Sequence, residues 1–197
     1  MEKQDKLTNK FWIIFILISV IIFLLFFVGI VIHLNRKPVV VTKTESGGIV
    51  RLNYTSNNNT YLLTGMTPMK DEEGKKVTDE EKVYNFSISS KLKKSNSITY
   101  EISVKKIVEK TDLNDNDIKI YLEKEDSGSY NSILNPIKYT PLKKKTEVGT
   151  KSGMVIAKQT VTKSEIENYR LRIWLSDSSK SVSGNYAVEV NINAMAK

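Results

Sequence analysis

The chain has 197 residues, no cysteine, a single histidine and a net charge of +8 from 30 basic and 22 acidic side chains. That length holds one domain of ~150 residues beside a hydrophobic leader, and a domain of that size buries enough surface to fold without cross-links. The missing cysteine excludes disulfides, thiolate zinc sites, iron–sulfur clusters, a cysteine nucleophile and a lipidated N-terminal cysteine. The one histidine, His33, lies inside the leader, so the rest of the chain lacks the usual acid–base and metal-binding side chain.

Residues 1–10 form a short polar tail, read as cytoplasmic. From Phe11 to Leu34 the chain runs FWIIFILISVIIFLLFFVGIVIHL without a charge. At ~1.5 Å per residue such a helix is ~36 Å long, enough to cross a ~30 Å hydrocarbon core with some tilt. The segment is longer than the apolar stretch of a signal peptide, and Leu34-Asn35-Arg36-Lys37-Pro38 offers no small-x-small cleavage site. An uncleaved anchor in the lipid bilayer is therefore expected. Lys3, Lys6 and Lys10 on one side balance Arg36, Lys37 and Lys43 on the other. Orientation then rests on the short basic tail staying inside and the long C-terminal part being translocated, which places residues 49–197 outside the cytoplasm, at a bacterial cell surface.

Residues 35–48 read as a linker. Within it Val39–Val41 can add to a sheet edge, while the Ser46-Gly47-Gly48 end is flexible in composition. Met66–Lys82 is polar and charged without a sustained apolar period, an exposed loop with room for a helical turn. The remainder alternates with period two. Tyr84, Phe86 and Ile88 share one face; so do Ile98, Tyr100, Ile102 and Val104; then Ile118, Ile120 and Leu122; then Tyr169, Leu171, Ile173 and Leu175; then Tyr186, Val188, Val190 and Ile192. Weaker strand candidates are Ile49–Tyr54, Thr60–Leu63 and Met154–Val161. Alternation of this kind marks half-buried antiparallel strands with one wet face. Separated by Asn, Asp, Gly and Ser clusters, they predict an all-β, antiparallel two-sheet sandwich, jelly-roll or immunoglobulin-like, over residues 49–197.

Three residue groups carry possible chemistry. Asp112, Asn114, Asn116 and Glu123 fall on oxygen-ligand positions of a calcium loop, but Asp117 stands where the sharp turn needs glycine and Ile118–Leu122 reads as a strand. The alternative is an Asx turn that launches that strand. Arg170, Arg172 and Trp174 point away from the core face of their strand. Trp174 is then either covered by a loop or an exposed aromatic flanked by guanidiniums, a contact for glycan or protein. Catalytic signatures are missing: there is no Gly-x-Ser-x-Gly, no partner histidine and no phosphate loop, and the acidic runs Asp71–Glu73 and Asp79–Glu81 sit in a solvated loop. No enzyme activity and no cofactor are expected. The basic surface suits an anionic wall polymer or simple solvation; nucleic acid is not expected, since no basic recognition helix is present.

The order of Tyr84–Ser89, Ile98–Ile102, Asp117–Leu122 and Tyr169-Arg170-Leu171-Arg172-Ile173-Trp174-Leu175, followed by a Ser/Asp-rich turn, Gly184 and a last alternating strand, resembles the TasA/camelysin-like β-sandwich surface proteins of Firmicutes. The resemblance spans roughly Lys82–Ala194, and its most specific element is the Tyr-x-Leu-Arg-Ile-Trp-Leu stretch. It implies a surface or matrix protein, in some members a fibre subunit. Two departures stand out. Such proteins usually lose their leader, whereas this chain is expected to keep it. Camelysin-like members are classed as metallopeptidases, but here no histidine lies beyond position 33 to build a zinc site. The expected function is a structural, adhesive or matrix-assembly role, with an accessory or binding subunit of a membrane complex as the alternative. Self-association by strand addition through Pro38–Thr44 is one physical route, and other surface proteins are further candidate partners.

Overall fold

Every strand predicted from alternation is present, and those whose side chains are described bury the face the alternation assigns to them. The computed structural model describes residues 39–43, 49–54, 59–92, 96–142 and 152–196, with Ser19, Val20 and Phe23. The anchor expected over 11–34 lies outside the described residues apart from those three, which are helical. Among the described residues no helix is long and apolar enough to cross a membrane.

The strands are β1 (Val39–Lys43), β2 (Ile49–Tyr54), β3 (Thr60–Met66), β4 (Pro68–Met69), β5 (Tyr84–Lys91), β6 (Ile98–Lys106), β7 (Ile118–Asp126), β8 (Ser129–Lys138), β9 (Met154–Val161), β10 (Glu165–Ser176) and β11 (Gly184–Ala196). One helical turn, α1 (Asp71–Gly74), interrupts the β3–β5 connection. A seven-stranded sheet runs β1-β2-β5-β10-β7-β8, with β4 paired in parallel to the end of β10 at Leu175 and Ser176. A four-stranded sheet runs β3-β11-β6-β9. All other ladders are antiparallel. Val39–Lys43, expected within the linker and read as free to pair with a neighbouring copy, is paired with β2 of its own chain.

The two sheets bury one core between them. Ile88, Ile118, Ile120, Leu122, Leu171 and Leu175 of the larger sheet meet Ile98, Ile102, Val104, Val188, Val190 and Ile192 of the smaller, all at 0% exposure. Branched aliphatics suit both the pleated backbone and the flat inter-sheet space. Each such side chain contributes roughly 1.5–3 kcal/mol of burial, which explains why no cross-link is needed.

Strand β8 is the element that alternation does not reveal. Its hairpin with β7 turns on Ser127 and Gly128, at φ 51° and 83°, the two left-handed residues of a tight hairpin turn. Pairing then slips between Ile120/Ile137 and Leu122/Leu134, and again at Glu123/Ser132. The first bulge holds Pro136, which an edge strand tolerates because a missing N–H there breaks no inner ladder. The slips scramble the period-two pattern, leaving Ile133, Leu134 and Ile137 half-buried against the core.

Tyrosines close the core at both ends. At one end Tyr100 of β6 donates to Glu167 of β10 and shares a hydrogen bond with the Tyr169 hydroxyl, so the two sheets are joined through side chains. Glu167, 6% exposed, also pairs with Lys124 of β7. At the other end Tyr186 of β11 donates to Asp115 at 3.1 Å, which pairs with Lys106 at 2.7 Å, while the Tyr139 hydroxyl accepts from the Lys106 amide at 3.2 Å. Each of these four tyrosine hydroxyls thus finds the partner that its desolvation demands.

Burial pushes the Tyr100, Tyr169 and Tyr186 hydroxyls well above the usual phenol range; Tyr169 and Glu167 add to the shift at Tyr100, and Asp115 adds to it at Tyr186. A folded-state value raised above the unfolded one leaves stability intact below pH ~10 and removes it as the unfolded chain ionises at higher pH. Alkaline titration should therefore show the phenolate absorbance of these residues rising together with loss of far-ultraviolet circular dichroism. Full tyrosine ionisation while the β-signal persists would contradict this closure of the core.

Candidate functional site

Strand β10 is buried on both faces from Leu171 to Ser176, the outward Arg172 and Trp174 included, at 4% and 2% exposure. Its inner face belongs to the core. Its outer face is covered by the β3–β5 connection, residues 67–83, where the sequence predicts an exposed loop over Met66–Lys82. The cover is fastened at several points. Arg172 Nε donates to the Val77 carbonyl at 2.7 Å, and Arg172 Nη1 pairs with the Glu123 carboxylate of β7. Lys119 of β7 reaches Asp71 of α1 at 3.2 Å. The Tyr61 hydroxyl donates to the Lys82 carbonyl at 2.5 Å, and burial raises its phenol above the usual range, with the Ile173 backbone opposing the shift.

Trp174 sits beneath α1. The Gly74 backbone lies flat against the indole, so that a Cβ at position 74 would penetrate the six-membered ring. Tyr121 meets the same ring edge-on at a centroid distance of 6.4 Å. Trp174 Nε1 is buried and has no hydrogen-bond partner. Arg170, the third outward residue, stacks its guanidinium 3.5 Å over the Tyr130 ring and contacts Asn85 Oδ1 at 3.4 Å, keeping part of its surface in solvent. Of the two alternatives for Trp174 the structure takes the covered one: Trp174 and Arg172 are buried by the covering loop, which supplies a carbonyl for the cation and a glycine for the ring, so neither offers an exposed contact.

The calcium-loop candidates are dispersed. Asp112 Oδ1 accepts the Asn185 amide at 2.5 Å, and Asn114 Oδ1 accepts the Asn116 amide at 2.9 Å, an Asx turn. Glu123 lies on the far side of the strand that starts at Ile118, roughly 17 Å along at ~3.4 Å per residue, and is held by Arg172 and by the Tyr121 hydroxyl at 3.1 Å. The strand separates the last expected ligand from the others, and the side chains of Asp112, Asn114 and Glu123 have structural partners. Among the described residues no group of three or more His, Cys, Asp or Glu is placed to hold a metal ion.

Where the cover leaves β10 a cleft of ≈ 310 Å³ opens, lined by Leu62, Met66, Val77, Lys82, Arg172 and Trp174 among others. The consecutive residues Leu62 to Thr67 all line it, so it runs along the open edge of β3. The lining is mixed, apolar along Leu62, Leu63, Met66, Met69 and Val77 with Glu81, Lys82 and Arg172 among them, a character that suits a contact site. Leu62 and Gly74 were not singled out from the sequence. Gly74 carries one signal, a glycine at the end of an acidic helical turn in an otherwise lysine-rich loop; Leu62 carries none.

Gly74→Ala should therefore lift α1 from Trp174. In a Trp12→Phe background Trp174 is the remaining tryptophan. The variant is expected to lose ~1–3 kcal/mol of stability through overpacking, with a red-shifted emission. Unchanged emission and melting would show that the glycine–indole contact does not hold the cover down.

No protein-family model matches the chain, and no curated protein sequence matches it. Among solved structures, the chain is similar to AvmM, which catalyses macrocyclization in alchivemycin A biosynthesis, at 8% identity and TM-score 0.25 over 73% of this chain and 95% of that one. It is similar to a GH31 CBM32-2 module bound to GalNAc at 13% identity and TM-score 0.19, covering 72% and 100%. A third is the collagen-binding domain of the Erysipelothrix rhusiopathiae surface protein RspB, at 11% identity and TM-score 0.20, covering 79% and 60%. Likenesses at this level carry no information on ligand or activity.

Proposed function

We propose that this protein is a membrane-tethered, extracytoplasmic β-sandwich that acts by contact, in a structural or adhesive role at a bacterial cell surface, and not by catalysis. The observation that carries the reading is the character of the cleft beside β3 and β10. Its lining is largely apolar, its buried cation is already held by Glu123 and Val77, and a strand edge opens into it. Such a surface suits recognition by contact. The paired carboxylates of the covering loop serve the fold as well, Asp71 with Lys119 at 3.2 Å and Asp79 with Lys82 at 3.6 Å.

Tethering rests on the uncharged 11–34 stretch, and the surface role is supported by the resemblance of residues 82–194 to TasA/camelysin-like proteins. The test is protease shaving of intact cells that express the full chain with a C-terminal tag, beside lysed controls. Loss of the tag from intact cells, with a fragment containing residues 11–34 kept in the membrane, is the expected result. Survival of the tag until lysis would place the sandwich in the cytoplasm and overturn the reading.

A further inference from the structure

The β3 edge that opens into the cleft is unpaired among the described strands. Ala187 of β11, which lies opposite Leu62, donates its N–H to Thr111 Oγ1 at 3.0 Å and accepts at its carbonyl from the Ile107 amide at 2.9 Å, both on the β6 side. Leu62 and Ala187 are therefore a non-hydrogen-bonded pair, and the N–H and C=O of Leu62 point off the sheet. Edge strands are ordinarily blunted by lysine or proline, as β1 is by Lys43, β8 by Pro136 and Lys138, and β9 by Lys158. Strand β3, Thr-Tyr-Leu-Leu-Thr-Gly-Met, carries neither. A second unspent group belongs to the same cleft. Trp174 lines it, and the buried Trp174 Nε1 has no hydrogen-bond partner. A buried donor left unsatisfied in a folded protein calls for an acceptor from outside.

We infer that the cleft takes an extended, uncharged peptide segment of another protein, laid along β3 as an added strand. The inference rests on the contact role proposed for this site and names its partner. One residue of the segment exchanges both backbone hydrogen bonds with Leu62, and a further carbonyl accepts from Trp174 Nε1. Apolar side chains of the segment meet Leu63, Met66, Met69 and Val77, where the methionines adapt to varied shapes. Other occupants lack a match. An acyl chain brings no donor for the Leu62 carbonyl. A sugar ring stacks on an aromatic face, and Gly74 already covers that of Trp174. A second copy brings another +8, which opposes pairing. A charged segment finds no buried counter-charge: Arg172 is paired with Glu123, Lys82 with Asp79 at 3.6 Å, and Glu81 is exposed to solvent.

The test is an NMR titration of the full chain in detergent micelles, with isotope-labelled leucine and tryptophan and with Trp12→Phe, which leaves Trp174 as the sole tryptophan. The probe is the peptide acetyl-Thr-Val-Thr-Val-Thr-amide. The Leu62 amide and the Trp174 indole N–H are expected to shift together and to saturate at one peptide concentration. The same peptide N-methylated at every amide keeps its side chains and carbonyls but loses its donors, and should bind roughly tenfold more weakly. Leu62→Pro removes the edge donor and no ladder bond, so it should weaken the indole response to a similar extent with the melting temperature kept. No saturable shift at millimolar peptide, equal binding of the N-methylated peptide, an unmoved indole, or a matching response to cellobiose would each overturn the inference. Peptide-free shifts that grow with protein concentration would overturn it in favour of a second copy. Failure here with the C-terminal tag still shaved from intact cells would sink the peptide site alone; a protected tag would sink the surface reading itself.

Discussion

A guanidinium buried on the outer face of a central strand is the constraint from which much of the molecule follows. Arg172 cannot leave water without partners, because an unpaired buried cation costs several kcal/mol or more. It finds a carboxylate on the adjacent strand, Glu123, and a carbonyl in a distant loop, Val77. The second partner fixes the path of the β3–β5 connection across β10. That path carries α1 over Trp174, sets Asp71 against Lys119, and leaves the cleft along β3 where the loop departs. A positive charge on one strand thus organises the cover, the buried indole and the recess together.

The same economy of polar partners governs the interior. A sandwich core is held by non-directional burial, which alone would let two sheets slide or rotate. The tyrosine clusters at its two ends supply direction. Tyr100, Tyr169 and Glu167 join the sheets at one end; at the other, Asp115 in the β6–β7 connection and Tyr139 just past β8 hold Tyr186 and Lys106 of the smaller sheet. Hydrogen bonds in a low-dielectric interior gain from one another and lose heavily when broken singly. They register the sheets in a chain that has no disulfide to do so.

The core faces were legible because an inward residue at every second position is a local property, readable from neighbours in the chain. Tyr84–Ile88 and Tyr186–Ile192 needed nothing else. Strand β8 was not legible, since its bulges move Ile133, Leu134 and Ile137 off any fixed period and Pro136 reads as a breaker. The outer face of β10 escaped for a different reason. Whether Trp174 is wet or dry depends on Gly74, a residue distant in sequence, and periodicity cannot see a cover supplied from elsewhere. The calcium pattern failed the same way: ligand spacing along the chain assumes a loop, whereas Ile118 begins a strand that carries Glu123 out of reach of Asn116. The open edge of β3 needed the hydrogen bonds of Ala187 before the direction of the Leu62 backbone could be known.

Strand β11 lies between β3 and β6 in the smaller sheet although it follows both by a long stretch of chain. Neither of those strands has its central ladder until β11 arrives, just as β5 waits for β10 in the larger sheet. Loops must close over most of the domain before long-range pairing is rewarded, so folding is slow and late. A growing chain can pair β5 with β2 and, later, β6 with β9, but β3 meets its ladder partner only when β11 is made. The topology therefore makes arrival of β11 the event that joins β3 to β6 and closes the smaller sheet over the core.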